Sequence, residues 1–430
     1  MDAQTVGPGV LLITANLGSI FEDPEHMLMI WLENFYETLE RLQPHFVALH
    51  CQEVGGKNYE HSMQYVDKFL RLIFESDKMR SYDRICALMD KEFTVAEHFT
   101  ALGNIYFVHE SIKNVQYYDF KACKFRAITG KVIHADNLKD THIYDKAKFP
   151  ASFFPEMKWS RKGFIRTRWS IDNRVFDLVN IHLFHDASNM IAMQNCPSPY
   201  CKNRKRALDH VIKRFAKDKH EKVPYFIFGD FNFRLDTQGV IQTLVARATP
   251  EYTREDKEIK RIVYKANDSV DKVILTLGKK VFDIDEPSRL LGEGNGAKWL
   301  HHFDKEPLSF NTLLCEYPVE FPPSYPYSEN IQDGNTYMKT RCPAWCDRIL
   351  LTHQAKSLIS EAIGGKPYYG VIGQDVCMGD HKPVILFFRL IQGTGTASSI
   401  PPSSGHTPPA ICRAIGSIIY HPIIYRETSV

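Results

Sequence analysis

The chain has 430 residues and 44% of them are hydrophobic, which is enough to bury a sizeable core. Its 53 basic and 51 acidic residues nearly balance, and a formal net charge of +2 argues against a protein that binds nucleic acid or an anionic membrane through its overall charge. Ten cysteines in a chain of this length, several inside apolar runs, are typical of reduced thiols. No basic segment precedes the first apolar stretch and no apolar run could span a bilayer, so we expect a cytoplasmic protein without a transmembrane segment.

Apolar runs and helical periodicities alternate along the chain. In chain order they predict a strand at Val10–Thr14, a helix at Glu25–Leu42, a strand at Phe46–His50, a helix at Val66–Phe74, strands at Ile85–Met89, Asn104–His109, Phe164–Asp172 and Arg174–Phe184, a helix at Asn203–Phe215, and strands at Pro224–Phe228, Ile349–Thr352 and Pro383–Phe388.

The predicted fold class is α/β (α+β) with mixed sheets. Phe164–Asp172 and Arg174–Phe184 flank a turn and predict an antiparallel hairpin, which a simple doubly wound parallel sheet does not accommodate. Two mixed β-sheets packed face to face, with helices outside, suit the pattern better. We expect one catalytic domain over residues 1–390. Residues 391–430 are rich in Pro, Ser and Gly and are predicted to form a disordered tail.

Three polar blocks stand beside predicted strands. They are GDFNFR at Gly229–Arg234, RCPAWCDRIL at Arg341–Leu350 and GDHKPV at Gly379–Val384. In this order they resemble the metal-dependent inositol polyphosphate 5-phosphatases, and the resemblance covers roughly residues 10–390. It implies a four-layer sandwich of the DNase I type that hydrolyses a phosphomonoester. Mg²⁺ is the expected cofactor, because it prefers carboxylate and amide oxygens and retains several waters.

The resemblance also implies a metal site and a group that acts on water. Glu53, in a Gln-Glu pair after the second strand, and Asn16, at the end of the first, are the expected metal ligands. The family usually has a second Asn two residues after Asn16, where this chain has Gly18. Asp230 and Asn232 lie two residues apart and would share a face. We expect Asp230 to activate or orient the attacking water and Asn232 to hold a phosphoryl oxygen.

Two histidine blocks complete the predicted site. Asn180 and His182 alternate on one strand, so both could reach the phosphate. The resemblance assigns His381 to the scissile phosphate, and Asp380 to metal or water contact or to orienting histidines. Asp347, within PAWCDRIL, is expected to act indirectly, by hydrogen-bonding a catalytic histidine.

The substrate is indicated by a second group of residues. Lys339 and Arg341 match the basic stretch with which the family binds the 4-phosphate of the inositol ring. Tyr325 matches a family tyrosine beside that phosphate. Lys162 matches a family Lys-Gly-Gly block in part, because Phe164 replaces the second Gly. Pro326 stands where lipid-hydrolysing members usually carry a lysine. These features resemble the type I branch, whose substrates are soluble inositol 1,4,5-trisphosphate and 1,3,4,5-tetrakisphosphate and whose activity terminates inositol trisphosphate and calcium signalling.

The carboxyl terminus departs from that branch. Type I enzymes typically end in a prenylated CaaX box that places them at the plasma membrane, whereas this chain ends in Glu427-Thr428-Ser429-Val430. The last three residues would fit a PDZ-domain groove.

Three alternatives stay open: a nuclease or sphingomyelinase of the shared architecture, a 5-phosphatase acting on phosphoinositide lipids, and a catalytically inactive inositol phosphate-binding scaffold. We expect a monomer that binds soluble inositol polyphosphates and no nucleic acid.

Overall fold

The computed structural model describes residues 6–135, 138–155, 160–269, 272–285, 298–361 and 365–391. All of them fall within one compact unit, Met1–Thr394. The predicted disordered tail and the predicted PDZ ligand lie outside the described residues, apart from Ile391, and stay predictions.

The first sheet carries the amino-terminal strand in its middle. Numbered in chain order, its strands lie side by side as β18 (Tyr368–Val371), β19 (Val384–Ile391), β1 (Val6–Asn16), β2 (Phe46–Gln52), β4 (Gly103–Val108), β3 (Arg84–Met89) and β7 (Lys131–His134). The pairs β1/β2 and β3/β7 are parallel and the other neighbours are antiparallel.

The second sheet contains the predicted hairpin. Its strands lie in the order β16 (Leu314–Cys315), β17 (Asp347–Thr352), β11 (Tyr225–Asp230), β10 (Arg174–His182), β9 (Gly163–Ile171), β5 (Val115–Asp119) and β6 (Lys124–Ala127), with β8 (Tyr144–Lys148) also paired to β9. The β9–β10 pair is antiparallel, and its turn residues Asp172 and Asn173 have φ of 46° and 63°. Asp and Asn tolerate this left-handed conformation, so the hairpin prediction is confirmed.

A third sheet was not predicted from the sequence. It consists of the antiparallel strands β12 (Ala248–Glu255), β13 (Glu258–Ala266), β14 (Val273–Gly278) and β15 (Val281–Ile284). The first two strands are largely exposed and rich in charge, so they lack the apolar face that marks a strand in a sequence.

The helices lie outside the two large sheets. The described α-helices are α1 (Gly18–Glu22), α2 (Met27–Leu42), α3 (Tyr59–Ser62), α4 (Gln64–Glu75), α5 (Asn189–Ala192), α6 (Pro199–Lys217), α7 (Thr237–Leu244) and α8 (His353–Lys356). Short 3₁₀ helices occupy Asp77–Met79, Leu138–Asp140, Ala151–Phe153, Lys298–Phe303 and Pro307–Phe310. Over the described ranges, every helix is too short or too polar to cross a membrane.

Three apolar layers hold the architecture together. Leu12 and Ala48 of the first sheet and Phe228 of the second belong to one core cluster between the sheets. A second cluster packs α2 and α4 on the outer face of the first sheet, and a third packs α6 on the outer face of the second. The predicted order of helix, sheet, sheet and helix is confirmed.

Candidate active site

The carboxyl ends of two parallel strand pairs meet between the sheets. Asn16 and Gln52 are in register at the ends of β1 and β2, and His182 and Asp230 are in register at the ends of β10 and β11. The Asn16 amide donates to Asp230 Oδ2 across the sheets at 3.2 Å. Polar residues that are far apart in the sequence therefore lie close together at one edge of the core.

Asp230 is the centre of this group. It accepts hydrogen bonds from the Asn16 side chain and from the backbone N–H of Asn232, the latter at 2.8 Å, and its Oδ2 lies 3.1 Å from His182 Nε2. Burial would raise the pKa of the Asp230 carboxyl, but His182, His381 and Lys162 together hold it well below its usual range. Asp230 is therefore an ionised carboxylate at neutral pH.

Glu53 and Asn16 face a small space that depends on Gly18. A Cβ placed on Gly18 would stand 2.7 Å from Glu53 Oε2 and 3.3 Å from Asn16 Oδ1, so both oxygens converge on the position where a side chain is missing. Burial acts to raise the pKa of Glu53, but Lys162, His182 and Arg161 lower it to about 2. An ionised carboxylate beside an amide oxygen is a donor set that suits a hard divalent cation.

Lys162 and His182 lie in contact on one side of the site. Both side chains are buried, Lys162 Nζ contacts the His182 ring, and it lies 3.9 Å from Glu53 Oε1. Burial lowers the pKa of Lys162 to about 8, although Glu53 and Asp230 act in the opposite direction. Because burial and Lys162 both disfavour its protonation, the pKa of His182 is also lowered, in spite of the nearby Asp230.

His381 is held by a carboxylate from the second sheet. Its Nδ1 lies 2.8 Å from Asp347 Oδ2, which also accepts a 2.7 Å hydrogen bond from Ser324 Oγ. Burial alone would lower the pKa of His381, but Asp347 and Asp230 raise it to about 10. The ring of Tyr325 packs against the imidazole, with centroids 4.5 Å apart. His381 is thus a charged donor whose Nδ1 is occupied and whose Nε2 is available for another acceptor.

A second group of possible metal ligands overlaps the first. Donor atoms of Asp230, Asp347 and His381 all lie within 4.8 Å of one another. Asp347 Oδ1 is buried and has no hydrogen-bond partner within the described part of the chain. The geometry therefore supports a metal ion in this region of the site, with a buried carboxylate and histidine group as one candidate position.

Asp380 lies next to His381 but points to another partner. Its backbone N–H donates to Ser19 Oγ at 3.0 Å, and Ser19 Oγ donates back to Asp380 Oδ1 at 2.8 Å. Lys57 Nζ lies 3.6 Å from Asp380 Oδ2. In the structure Asp380 ties α1 to the start of β19.

Arg234 is a site residue that the sequence reasoning did not assign. Its Nη2 donates to Asn232 Oδ1 at 2.6 Å, and its guanidinium lies over the ring of Tyr325, 4.5 Å from the centroid. The side chain is 8% exposed, and neither Nε nor Nη1 has a partner among the described residues. Alternation in GDFNFR, which places Asp230, Asn232 and Arg234 on one face, was the signal that could have identified it.

Asn180 is placed behind the site. It is fully buried, and its side-chain amide makes four hydrogen bonds within the protein. These partners are Gln52 Nε2 at 2.8 Å, Cys51 O at 3.1 Å, Gly103 O at 3.0 Å and Asn104 Oδ1 at 2.8 Å. In this arrangement Asn180 joins the two sheets, and its predicted contact with the substrate would require these bonds to be exchanged.

Arg341 and Lys339 have partners within the protein. Arg341 donates to Asn189 Oδ1 at 2.9 Å, to Lys279 O at 2.8 Å and to Asp186 O at 3.1 Å, so much of its donor capacity serves the protein. Lys339 is exposed and pairs with Asp283 at 2.9 Å. These partners do not include Asp230, and the predicted role of Arg341 and Lys339 toward a ring phosphate stays a prediction.

Known proteins are similar in sequence to this chain over nearly its whole length. The chain is 50% identical over 397 residues to "Inositol polyphosphate-5-phosphatase A" of Homo sapiens, which covers 91% of this chain and 96% of that protein. It is 34% identical over 415 residues to the Caenorhabditis elegans protein named "Probable type I inositol 1,4,5-trisphosphate 5-phosphatase", which covers 88% of this chain and 99% of that protein.

The comparisons extend to a family profile and to solved structures. The profile of Endonuclease/Exonuclease/phosphatase family 2 matches residues 295–386. A crystal structure of the inositol polyphosphate 5-phosphatase domain of SPsynaptojanin, with inositol (1,4)-bisphosphate and calcium ion, aligns with 89% of this chain and 84% of that chain. Its sequence identity is 14% and its TM-score is 0.47.

Proposed function

This chain belongs to the inositol polyphosphate 5-phosphatases, and we propose that it removes the 5-phosphate from soluble inositol 1,4,5-trisphosphate and 1,3,4,5-tetrakisphosphate with the help of Mg²⁺. The observation that carries the proposal is the convergence of Glu53, Asp230 and His381, from separate parts of the chain, on one buried polar site between the sheets. The 50% identical relative, named for this activity, supports the reaction.

The residues present fit a divalent metal. Glu53 and Asn16 present a carboxylate and an amide oxygen to the space left by Gly18, as Mg²⁺ prefers. The group of Asp230, Asp347 and His381 is less suited, because Asp347 keeps His381 protonated and a protonated imidazole has no lone pair for a metal. When bound beside Glu53, Mg²⁺ would polarise the phosphoryl oxygens.

We assign the handling of water to Asp230. It is ionised, and its two oxygens are oriented by Asn16 and by the backbone N–H of Asn232, so it can accept a hydrogen bond from water in a fixed direction. A carboxylate in this position orients the water for in-line attack and receives proton density as the oxygen attacks.

His381, His182 and Asn232 are assigned to the phosphoryl group. The charged His381 can donate through Nε2 to a phosphoryl oxygen while Asp347 holds its other nitrogen. Asn232 Nδ2 donates to Leu183 O at 3.1 Å and keeps a second hydrogen for another acceptor. Lys162, in contact with His182, adds positive charge on the same side. These donors are positioned before the reaction and favour charge that develops on the phosphoryl oxygens.

The preference for a polyanionic substrate rests on the charges around this centre. Arg234 and Arg341 lie near Tyr325 and Asp186, and Lys162 lies near Glu53 and Asp230. Substrates with several phosphates would use this local charge, which the chain's overall net charge of +2 conceals.

Phosphate release by the purified protein tests the proposal. Inositol 1,4,5-trisphosphate and 1,3,4,5-tetrakisphosphate would be compared with soluble phosphatidylinositol 4,5-bisphosphate and an abasic-site DNA duplex, each with Mg²⁺ and with EDTA. We expect Mg²⁺-dependent release from the soluble inositols and at least ~100-fold slower release by Asp230→Asn. Efficient turnover of the lipid or the DNA would reject the proposed substrate class, and tight inositol phosphate binding without turnover would favour the scaffold alternative.

A further inference from the structure

The turn between β14 and β15 reaches the active-site region although the sequence motifs do not include it. Gly278 pairs with Val281, which leaves Lys279 and Lys280 as the two residues of the turn. Both lysines are exposed. Two adjacent cationic side chains therefore stand at the end of a rigid antiparallel hairpin, here called the lysine hairpin (Val273–Ile284).

Arg341 and Asn189 fasten the lysine hairpin to the site. Arg341 Nη1 donates to Lys279 O at 2.8 Å and to Asn189 Oδ1 at 2.9 Å. Asn189 donates from its backbone to Lys279 O at 3.0 Å and from its side chain to Val281 O at 3.0 Å. These bonds involve backbone carbonyls at and beside the turn, so they fix its position without neutralising the two lysine side chains.

A third lysine lies on the same rim. Phe282 N–H donates to Lys339 O at 2.9 Å, so the segment that precedes Arg341 is joined to β15. Lys339 is exposed and pairs with the half-exposed Asp283. The turn that carries Lys279 and Lys280 is thus held by Arg341, which in turn contacts Asp186 O in the loop that follows His182. Lys339 lies two residues before Arg341 and is joined to β15 by its backbone.

We propose that the lysine hairpin is a substrate-binding rim that recognises a phosphate of the soluble substrate other than the one attacked, and that Arg341 acts as a positioning residue for it. The proposal rests on the proposed function and deepens it. Exposed ammonium groups on a fixed turn attract a polyanion at long range and contact it as mobile point charges. They would improve capture of the substrate while the buried groups perform the chemistry.

The test is the double variant Lys279→Ala/Lys280→Ala in the full-length protein. We expect KM for inositol 1,4,5-trisphosphate and 1,3,4,5-tetrakisphosphate to rise roughly 3- to 10-fold, with kcat within about twofold of wild type. KM of the variant should depend less steeply on salt than that of wild type, because surface charges are screened beyond about 10 Å at 0.1 M. Lys217→Ala/Lys219→Ala, which removes the same charge from the exposed end of α6, should leave KM unchanged.

A variant without a change of charge tests the position of the lysine hairpin separately from its charge. Asn189→Ala removes side-chain bonds to the hairpin and to Arg341 without altering charge, and it should raise KM in the same direction while thermal unfolding reports any loss of folding. Unchanged KM in the lysine double variant, or an equal rise in the α6 control, would overturn the proposal. So would loss of binding to phosphatidylserine-containing vesicles with unchanged KM, because that result assigns the lysines to a lipid surface. Wild-type protein that releases no phosphate would reject the proposed function instead.

Discussion

His381 shows how one hydrogen bond sets the charge of a site residue. Burial favours loss of the proton from the imidazole, whereas the carboxylate of Asp347, 2.8 Å away, and that of Asp230 favour its retention. With its pKa near 10, His381 is protonated below that pH and loses its proton as the pH rises through it. Because its pKa is higher in the folded than in the unfolded protein, the pair also stabilises the fold fully below about pH 6.5, and that stabilisation is lost as the pH approaches 10.

Asp347→Asn should therefore move the basic limb of the pH profile. Without the carboxylate of Asp347, Asp230 is left to oppose burial, so the pKa of His381 falls below about 10 and the decline of kcat/KM with rising pH should begin at a lower pH. In the wild type His381 keeps its charge to about pH 9, so a decline that begins near pH 8 is expected from Lys162 and should be common to both proteins. Steady-state kinetics from pH 5 to about 10 measures both, and identical basic limbs would contradict the assigned role of His381.

Arg234 is a residue for which the structure suggests a clear mutational effect. Its guanidinium fixes the orientation of the Asn232 amide and packs on Tyr325, and its charge is buried. Arg234→Gln should lower kcat/KM by roughly 10- to 100-fold, since both a charge-assisted bond and a stacked planar group are lost. Arg234→Lys should restore little, because an ammonium cannot replace the planar fork.

The control for this prediction is an arginine on the protein surface. Arg206 on α6 is exposed, so Arg206→Gln should leave kcat/KM within about twofold of wild type. Near wild-type kcat/KM in Arg234→Gln would show that Asn232 and Tyr325 keep their positions without the guanidinium. Thermal unfolding of both variants distinguishes a local effect from loss of the fold.

At the scale of elements, the junction of β1 and α1 illustrates why a glycine can replace a polar family residue. Gly18 does not have a positive φ, so its backbone alone would accept alanine. Alanine is disfavoured because its Cβ would occupy the space into which Glu53 and Asn16 direct their oxygens. The departure from the family pattern noticed in the sequence is therefore compatible with a metal site at this junction.

Gly18→Ala tests that junction. A Cβ would stand 2.7 Å from Glu53 Oε2, so the carboxylate must move. We expect the Mg²⁺ concentration for half-maximal activity to rise at least ~10-fold, by analogy with the sensitivity of metal sites to displaced supporting groups, while the melting temperature with EDTA changes little. An unchanged Mg²⁺ requirement would remove Glu53 and Asn16 from consideration as the ligand pair.

The same scale shows which elements were recognisable. Strands buried between sheet and helix layers, such as Phe46–Gln52, carry continuous apolar runs, and α2 carries an apolar stripe with Trp31 and Phe35. These elements were predicted to within a few residues. The third sheet has no such run in its first two strands, which were missed for that reason. The first strand of the lysine hairpin is apolar and buried, and it was missed in spite of its pattern. Amphipathic patterning reports burial, and elements at the surface leave a weak pattern.

At the scale of the whole molecule, the site concentrates ionised carboxylates between two sheets. Asp230 acts to raise the pKa of Glu53, which is the effect expected of neighbouring like charges. A divalent cation relieves this repulsion only in the folded protein, because the unfolded chain separates residues 53 and 230. Metal binding and folding are therefore linked.

Removal of metal should consequently affect both activity and stability. Mg²⁺ at a concentration about 100 times its Kd should raise the free energy of unfolding by about 2.7 kcal/mol, and excess EDTA should abolish both this gain and phosphate release. Urea unfolding with Mg²⁺ or EDTA measures the gain, which should be smaller in Glu53→Gln. Full activity in EDTA after dialysis would contradict a metal-assisted mechanism.

The sequence by itself determined the family, the four-layer architecture and most of the residues that the structure brings together at the candidate site. It could do so because buried strands need continuous apolar runs, and because the chemistry of phosphate hydrolysis needs particular side chains directly after those strands. Asp230, His381 and Glu53 were identified in this way.

Only the tertiary structure decided which polar residues lie at the candidate site and which hydrogen-bond other parts of the fold. Asn180 and Arg341 carry side chains of a type that binds phosphate. In the structure Asn180 hydrogen-bonds across the two sheets, and Arg341 hydrogen-bonds the lysine hairpin. Arg234 is brought onto Tyr325 across 91 residues of sequence separation. A side chain's hydrogen-bond partners depend on which segments pack beside it, and packing between distant segments is not encoded in local spacing.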